Sequence, residues 1–327
     1  MAARAGVGRT TVSRVINGST LVSDEARAAV LAAIAELKYV PNSVARGLVT
    51  SRTNSIALVI PESESRLGAE PYFAAVIRGV STGLADTRTQ LQLILVRDQG
   101  ERDRLTASVA ERRVDGVLLA SVHEHDPLPA LLEDMGLPTV LAGRRAPGET
   151  LSHVCADNVG GAHAAVRHLL ERGRTRIGTV TGPMDMDVGR GRLQGWQDAL
   201  RTAGARPEER LVARADFTEE GGRAAVRTLL DRVPDLDALF VASDVMAVGA
   251  LSELRARGRR VPEDVAVVGF DDSFLARHTH PPLTTVRQPV EELGTTIARV
   301  LLREIADPTA PRQHLTLPTE LVVRESS

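Results

Sequence analysis

The chain has 327 residues, which points to two or three domains, and a formal net charge of −2, which by itself says nothing about nucleic acid. Hydrophobic residues make up 43% and charged residues 25%, as in an ordinary globular protein, but aromatics are only 2%, so the core must be built from Ala, Val, Leu and Ile. A single cysteine, Cys155, excludes an intrachain disulfide, and neither a membrane-length apolar run nor the apolar core of a signal peptide follows Met1, so a cytoplasmic protein is expected.

Residues 1–52 carry seven cations (Arg4, Arg9, Arg14, Arg27, Lys38, Arg46, Arg52) against Asp24, Glu25 and Glu36. That balance is +4, so the remainder of the chain sums to −6. A basic head on an acidic body is the asymmetry of a domain that meets phosphate. Gly6 and Gly8 flank Val7 as a turn. From Arg9 to Ile16 the spacing predicts a helix with Val12, Val15 and Ile16 on one face and Arg9, Thr10, Ser13 and Arg14 on the other. Asn17-Gly18 ends it, because both residues tolerate a left-handed backbone. Ser23 caps a further helix with Asp24 and Glu25 in its first turn and Val30, Ile34 and Leu37 as its buried stripe, and Pro41 stops it. Arginine pairs bidentately with guanine, and Thr and Ser hydroxyls reach phosphates or base edges. The short helix therefore has the composition of a recognition helix, although a plain surface helix can share it.

After residue 55 short apolar runs alternate with amphipathic stretches. Strands are expected at 55–60, 91–96, 115–120, 138–143, 176–181, 238–243 and 265–270, with helices such as 72–87, 160–172, 190–203, 219–232 and 244–257 between them. This alternation builds parallel sheets, here two similar lobes split near 155–158, with ligands off the carboxyl ends of the strands. Arg144, Asp185, Arg192, Phe217, Ser243, Asp244, Asp271 and Asp272 fall at those ends. Carboxylates and arginines hydrogen-bond vicinal hydroxyls, and an aromatic face covers a sugar ring. Arg192 and Asp271 are equally able to salt-bridge each other, Asp244 is expected to cap the helix that follows it, and Asp272 has the same option. No metal is expected at "HEH" 123–125 or "HTH" 278–280, because no third ligand has useful spacing. "GRGRLQG" 189–195 lacks phosphate-loop spacing, Cys155 is expected to be a buried inert thiol, and no Ser-His-Asp signal stands out.

The run "AGVGRTTVSRVING…VSDEARAAVLAAIAELKYVPNSVARGL" resembles the DNA-binding headpiece of the LacI/GalR family of bacterial repressors. The body resembles that family's effector domain, itself similar to periplasmic sugar-binding proteins, through "PYF" 71–73, "VDGVLL" 114–119, "RLQGW" 192–196, "ASDVMAVGAL" 242–251, "VAVVGFDD" 265–272 and "PPLTTVRQP" 281–289. The resemblance spans essentially the whole chain. It implies an α/β protein: a small all-α helix-turn-helix head plus a two-lobed periplasmic-binding-protein-like body of parallel sheets flanked by helices. The implied domains are a head at 1–41, a hinge helix at 42–52 and an effector and dimerisation domain at 53–327. Its N-lobe covers about 53–155 plus 287–312 and its C-lobe about 158–282 plus 318–327, with crossovers near 155–158, 282–287 and 312–318.

By the same resemblance Arg9, Thr10 and Arg14 read bases, and Thr11, Ser13 and Asn17 hold phosphates or cap. The segment carrying Asn42, Ala45 and Leu48 enters the minor groove, with Leu48 as the wedge. Tyr72, Phe73, Arg144, Arg192, Phe217, Ser243 and Asp271 are the implied effector contacts. Ser243 departs from the Asn of many members, and Gly8 replaces the usual Ser before the recognition helix. The first helix is shortened to about 1–5, which leaves Val12 and Ile16 short of packing partners and suggests that Met1 is internal to a longer native protein. The implied function is a ligand-controlled transcriptional repressor, not an enzyme. Its partners are operator DNA, a mono- or disaccharide and a second copy of itself, with no cofactor, metal or membrane. A cytoplasmic sugar-binding protein with a non-functional head is the alternative.

Overall fold

Val12 and Val15 on one helix and Val30 on another form the small buried centre of the N-terminal unit, ringed by Met1, Ala2, Ala5, Val7, Ile16, Val22 and Ile34. The computed structural model describes residues 1–16, 21–37 and 52–327. These residues fall into two units, Met1–Thr53 and Asn54–Ser327. The expected hinge segment, with Asn42, Ala45 and Leu48, lies outside the described residues except at its last position, and so does Asn17.

In the first unit a single helical turn, Ala2–Ala5, ends at Gly6, whose φ of 64° is the left-handed cap that glycine adopts without strain. The next helix is Arg9–Ile16, as its spacing predicts. Helix Asp24–Glu36 starts at Ser23, whose hydroxyl accepts from Ala26 N at 3.3 Å, with Asp24 and Glu25 in its first turn. Its buried stripe is Val30 and Ala33, with Ile34 beside them, whereas Leu37 is 48% exposed, a correction to the expected stripe. The helix stops at Glu36, so Leu37 is its C-cap and has no core to enter. Val12 is only 8% exposed, because the short first turn and Val7 join its cluster.

The second unit holds two six-stranded sheets. The first runs β11-β5-β4-β3-β1-β2 with every pair parallel: β1 Ser55–Ile60, β2 Gln90–Leu95, β3 Gly116–Ala120, β4 Thr139–Ala142, β5 Ser152–Ala156 and β11 His314–Leu317. The second runs β12-β10-β9-β8-β6-β7: β6 Ile177–Thr181, β7 Val212–Arg214, β8 Ala238–Val241, β9 Ala266–Asp271, β10 Thr284–Arg287 and β12 Glu320–Val322. Only the edge strand β12 is antiparallel there. Strands covered on both faces by helices read as unbroken apolar runs, which is why β1 "SIALVI" is buried at every position.

The chain passes between the sheets three times. It crosses after β5, again between β10 and helix Val290–Ala306, and finally between β11 and β12. The second passage falls at 288–289, just C-terminal to the expected 282–287, because β10 completes the second sheet, and the third at 318–319, at the end of the expected 312–318, because β11 completes the first. Helix Val290–Ala306 returns to the first sheet and packs on helix Pro71–Leu84. The two backbones meet at glycines: a Cβ on Gly79 would stand 2.1 Å from Glu291 O, and one on Gly294 2.5 Å from Val76 O. Trp196, fully buried, anchors the core of the second lobe and donates from Nε1 to Ile177 O at 3.2 Å.

Candidate functional site

A cleft lies where the carboxyl ends of both sheets converge. From the first sheet it takes Arg66, Glu70, Tyr72 and Phe73 after β1, Ser121 after β3 and Arg144 after β4. From the second it takes Asn158 after the first passage, Phe217 after β7, Ser243 after β8, Asp271 at the end of β9 and Gln288 after β10. All seven residues expected as effector contacts line this cleft: Tyr72, Phe73, Arg144, Arg192, Phe217, Ser243 and Asp271.

Arg192 is the centre of its polar floor. It is 3% exposed, and its Cζ stands over Phe270, 3.7 Å from the ring centroid. Its Nε donates to Asn158 Oδ1 at 3.0 Å, and its Nη1 donates to Ala242 O and, at 3.4 Å, to Asp271 Oδ1. Gln288 Nε2 donates to the same Asp271 oxygen at 2.6 Å. Burial pushes the Asp271 carboxyl above the usual carboxylate range, with the Arg192 charge opposing it. Arg192 and Asp271 thus do salt-bridge each other, and both still line the cleft. Asp271 (φ 118°) and Phe217 (φ 65°) hold backbone conformations rare for residues with a Cβ. Such strain persists only where surrounding packing enforces it. The Phe217 ring is pressed against Gly182, where a Cβ would lie 2.1 Å from Phe217 Cζ.

Tyr72 meets Phe73 edge-on at 5.5 Å, and burial raises the phenol well above its ordinary range. Phe73 is 1% exposed and shares the core of the first lobe, so it forms a floor more than a face. Ser243 caps helix Asp244–Ala256, its hydroxyl accepting from Met246 N at 3.2 Å. This corrects the expectation that Asp244 is the cap. Asp244 is already helical, and its fully buried carboxyl accepts from Thr285 Oγ1 at 2.6 Å and Ser273 N at 2.7 Å. Burial, and next the neighbouring Asp271, raise it well above the carboxylate range. Asp272 is no cap either: it pairs with Arg287 at 2.8 Å and with Arg324.

Polar contacts cross the rim between the lobes. Arg144 Nε donates to Asp187 Oδ2 at 2.8 Å, and Arg190 donates to Glu124 and to Arg145 O, each at 2.6 Å. His123 Nδ1 lies 2.7 Å from Asp185 Oδ2, with Nε2 3.8 Å from Glu62. Glu62 foremost, and then Asp185, hold the imidazolium up to about 9 despite its partial burial. Asp185, expected at the mouth, thus serves this rim. "GRGRLQG" lies within helix Asp187–Thr202, and Cys155 is buried in β5. Among the described residues no group of His, Cys, Asp and Glu is arranged to hold a metal ion, and no helix is long and apolar enough to cross a membrane.

In the N-terminal unit Arg9, Thr10, Ser13 and Arg14 are exposed on the face of their helix opposite Val12 and Val15, and Thr11 is half-buried. Polar cleft residues that the sequence does not single out are Arg66, Glu70, Ser121, Asn158, Asp187 and Gln288. Gln288 follows β10, a strand with no apolar run to mark it. Glu62, Arg66 and Glu70 stand at i, i+4 and i+8, a spacing legible in the sequence as one ladder.

Residues 1–42 match the family model described as bacterial regulatory proteins, lacI family, and residues 166–327 match a periplasmic binding protein-like domain. The chain is 51% identical to the HTH-type transcriptional regulator CelR of Thermobifida fusca over 328 residues, which covers 100% of this chain and 96% of that one. Among solved structures, the transcriptional regulator CelR-cellobiose complex matches with a TM-score of 0.82 and 49% identity over 100% of this chain and 98% of that chain. The lac repressor dimer bound to operator and the anti-inducer ONPF matches with a TM-score of 0.85 and 27% identity, covering 99% and 97%.

Proposed function

The chain belongs to the lacI family of bacterial regulatory proteins, DNA-binding transcriptional regulators under small-ligand control, and on that premise we propose that it is a dimeric repressor whose operator affinity is set by a saccharide held between its two lobes. The observation that carries this reading is the convergence of Arg192, Asp271, Gln288, Ser243, Tyr72 and Phe217 on one cleft. Fixed donors and acceptors beside an aromatic ring suit a polyol with one apolar face. A similar regulator solved as a cellobiose complex makes a β-linked disaccharide the first ligand to try.

In the head, Arg9, Thr10 and Arg14 are assigned to base edges and Thr11 and Ser13 to phosphates. Asn17, Asn42, Ala45 and Leu48 are assigned to the same DNA. Two heads read two half-sites of a near-palindrome. A saccharide alters DNA affinity only by as much as it prefers one lobe arrangement over another. The protein is not an enzyme in this reading, and it works in the cytoplasm, where its operator is.

The test is fluorescence anisotropy on duplexes selected from a randomised palindromic library, with and without cellobiose. Specific binding that cellobiose shifts at least fivefold supports the reading. Cellobiose binding without any preference for selected over random duplex sinks it in favour of a sugar-binding protein with an inactive head.

A further inference from the structure

Three guanidiniums line the cleft, and each is already paired with a carboxylate. Arg192 contacts Asp271 at 3.4 Å, Arg144 holds Asp187 at 2.8 Å, and Arg66 holds Glu62 at 2.7 Å and Glu70 at 3.2 Å. Among the described lining residues no cation is left over for an anionic ligand.

Glu70 differs from the other carboxylates. It occupies the N-cap position of helix Pro71–Leu84, and its side chain makes no capping hydrogen bond. It lines the cleft instead, 13% exposed, and its one hydrogen-bond donor among the described residues is Arg66 Nε. Glu62, by contrast, has its Oε1 filled by Arg66 Nη1 at 2.7 Å and Ser121 Oγ at 2.6 Å. That grip fixes Arg66 and leaves it a single contact with Glu70. An ionised carboxylate has about four acceptor sites and no donor. Glu70 therefore presents unfilled acceptor capacity to the cleft that Asp271 also lines. Burial lifts its carboxyl to about 7, with Arg66 opposing and Asp271 adding to the rise.

We infer that Glu70 is a specificity residue of the effector cleft, accepting hydroxyl hydrogens from the ligand and, with the guanidiniums already compensated, restricting effectors to neutral saccharides and rejecting aldonic, uronic and phosphorylated ones. The inference rests on the reading that the cleft binds a saccharide. A neutral hydroxyl-rich ring satisfies Glu70 without adding charge, whereas a ligand carboxylate is placed among Glu70, Asp271 and Asp187 with no cation to spare.

The test titrates cellobiose and cellobionate calorimetrically into the full-length wild type and Glu70→Gln at pH 8, with thermal melts to establish that both are folded. Wild type is expected to prefer cellobiose by at least tenfold. Glu70→Gln is expected to bind cellobiose roughly tenfold more weakly, as for a lost charge-assisted hydrogen bond, and to lose most of the discrimination. The change of shape between the two probes is common to both proteins and cancels in the ratio. Glu70→Asp, which restores the charge, is expected to recover the preference for cellobiose. If Glu70→Gln keeps both the affinity and the preference of the wild type, the inference is overturned and the saccharide cleft stands. If neither probe binds the wild type, the saccharide reading itself falls and takes this inference with it.

Discussion

Replacing Arg192 by lysine keeps the charge and removes the shape. The native guanidinium serves Asn158 Oδ1 at 3.0 Å, Ala242 O and Asp271 Oδ1 at 3.4 Å while its Cζ lies 3.7 Å from the centre of the Phe270 ring. An ammonium is a single strongly hydrated point on a flexible stem and does not span those three acceptors from above the ring. At least two acceptors then lose their donor at a site where Arg192 is 3% exposed. An unsatisfied buried acceptor costs about 1–3 kcal/mol, so Arg192→Lys is expected to lower stability by about 2–4 kcal/mol. Cellobiose affinity should fall by about tenfold or more, since a hydrogen bond from a charged group contributes about 1.5–3 kcal/mol. Arg192→Ala goes further: Asp271 loses the charge that opposes its burial, so its carboxyl rises still higher and becomes more protonated near neutrality. Urea unfolding and calorimetric titration, run in one buffer, measure both effects. A lysine variant as stable and as tight-binding as the wild type would refute the argument, because charge alone would then suffice.

Three further outcomes are expected. Arg14→Ala should weaken binding to a selected duplex by about 1–3 kcal/mol and to random DNA by less; an equal loss on both removes its base-reading role. Gly182→Ala places a methyl where only 2.1 Å separates it from Phe217 Cζ, so the ring must shift, at a cost of about 1–3 kcal/mol and with weaker cellobiose binding. Phe217→Leu in the same chain should restore much of the stability, and no recovery would place the clash elsewhere. His123 has a folded pKa of about 9 against an ordinary 6.5, so its stabilising contribution is complete below pH 6.5 and fades as pH rises through 9. The stability gap between wild type and His123→Gln should therefore narrow over that window; a gap that stays flat in denaturant titrations from pH 6 to 9.5 contradicts the rim contact.

Local periodicity carried much of the fold. Helix Arg9–Ile16 is legible because valines at helical spacing oppose arginines and hydroxyls within one turn of each other. Strands β1, β3, β8 and β9 announce themselves as apolar runs, since helices cover both faces of their sheets. β5 "SHVCA" and β10 "TTVR" carry no such signal. Their polar residues are buried because distant groups satisfy them: Ser152 donates to Glu304 and Thr285 to Asp244. Those partners lie 152 and 41 residues away, beyond any local pattern.

Within the cleft the division is similar. The order of strands and helices is enough to put Arg144, Arg192, Phe217, Ser243 and Asp271 at strand ends, and family likeness adds Tyr72 and Phe73. What each side chain does there depends on what faces it. Ser243 caps in place of Asp244 because its backbone is extended where the aspartate is already helical. Glu70 lines the cleft instead of capping its own helix, and the Glu62 carboxylate that holds Arg66 is itself fixed by Ser121, 59 residues away. Sequence by itself determined which chemistry reaches the ends of the strands, because alternation of strand and helix is a local property. Beyond the local ladder of Glu62, Arg66 and Glu70, only the tertiary structure decided which charges are already spent on one another, because Arg192 meets Asp271 across 79 residues and Arg144 meets Asp187 across 43.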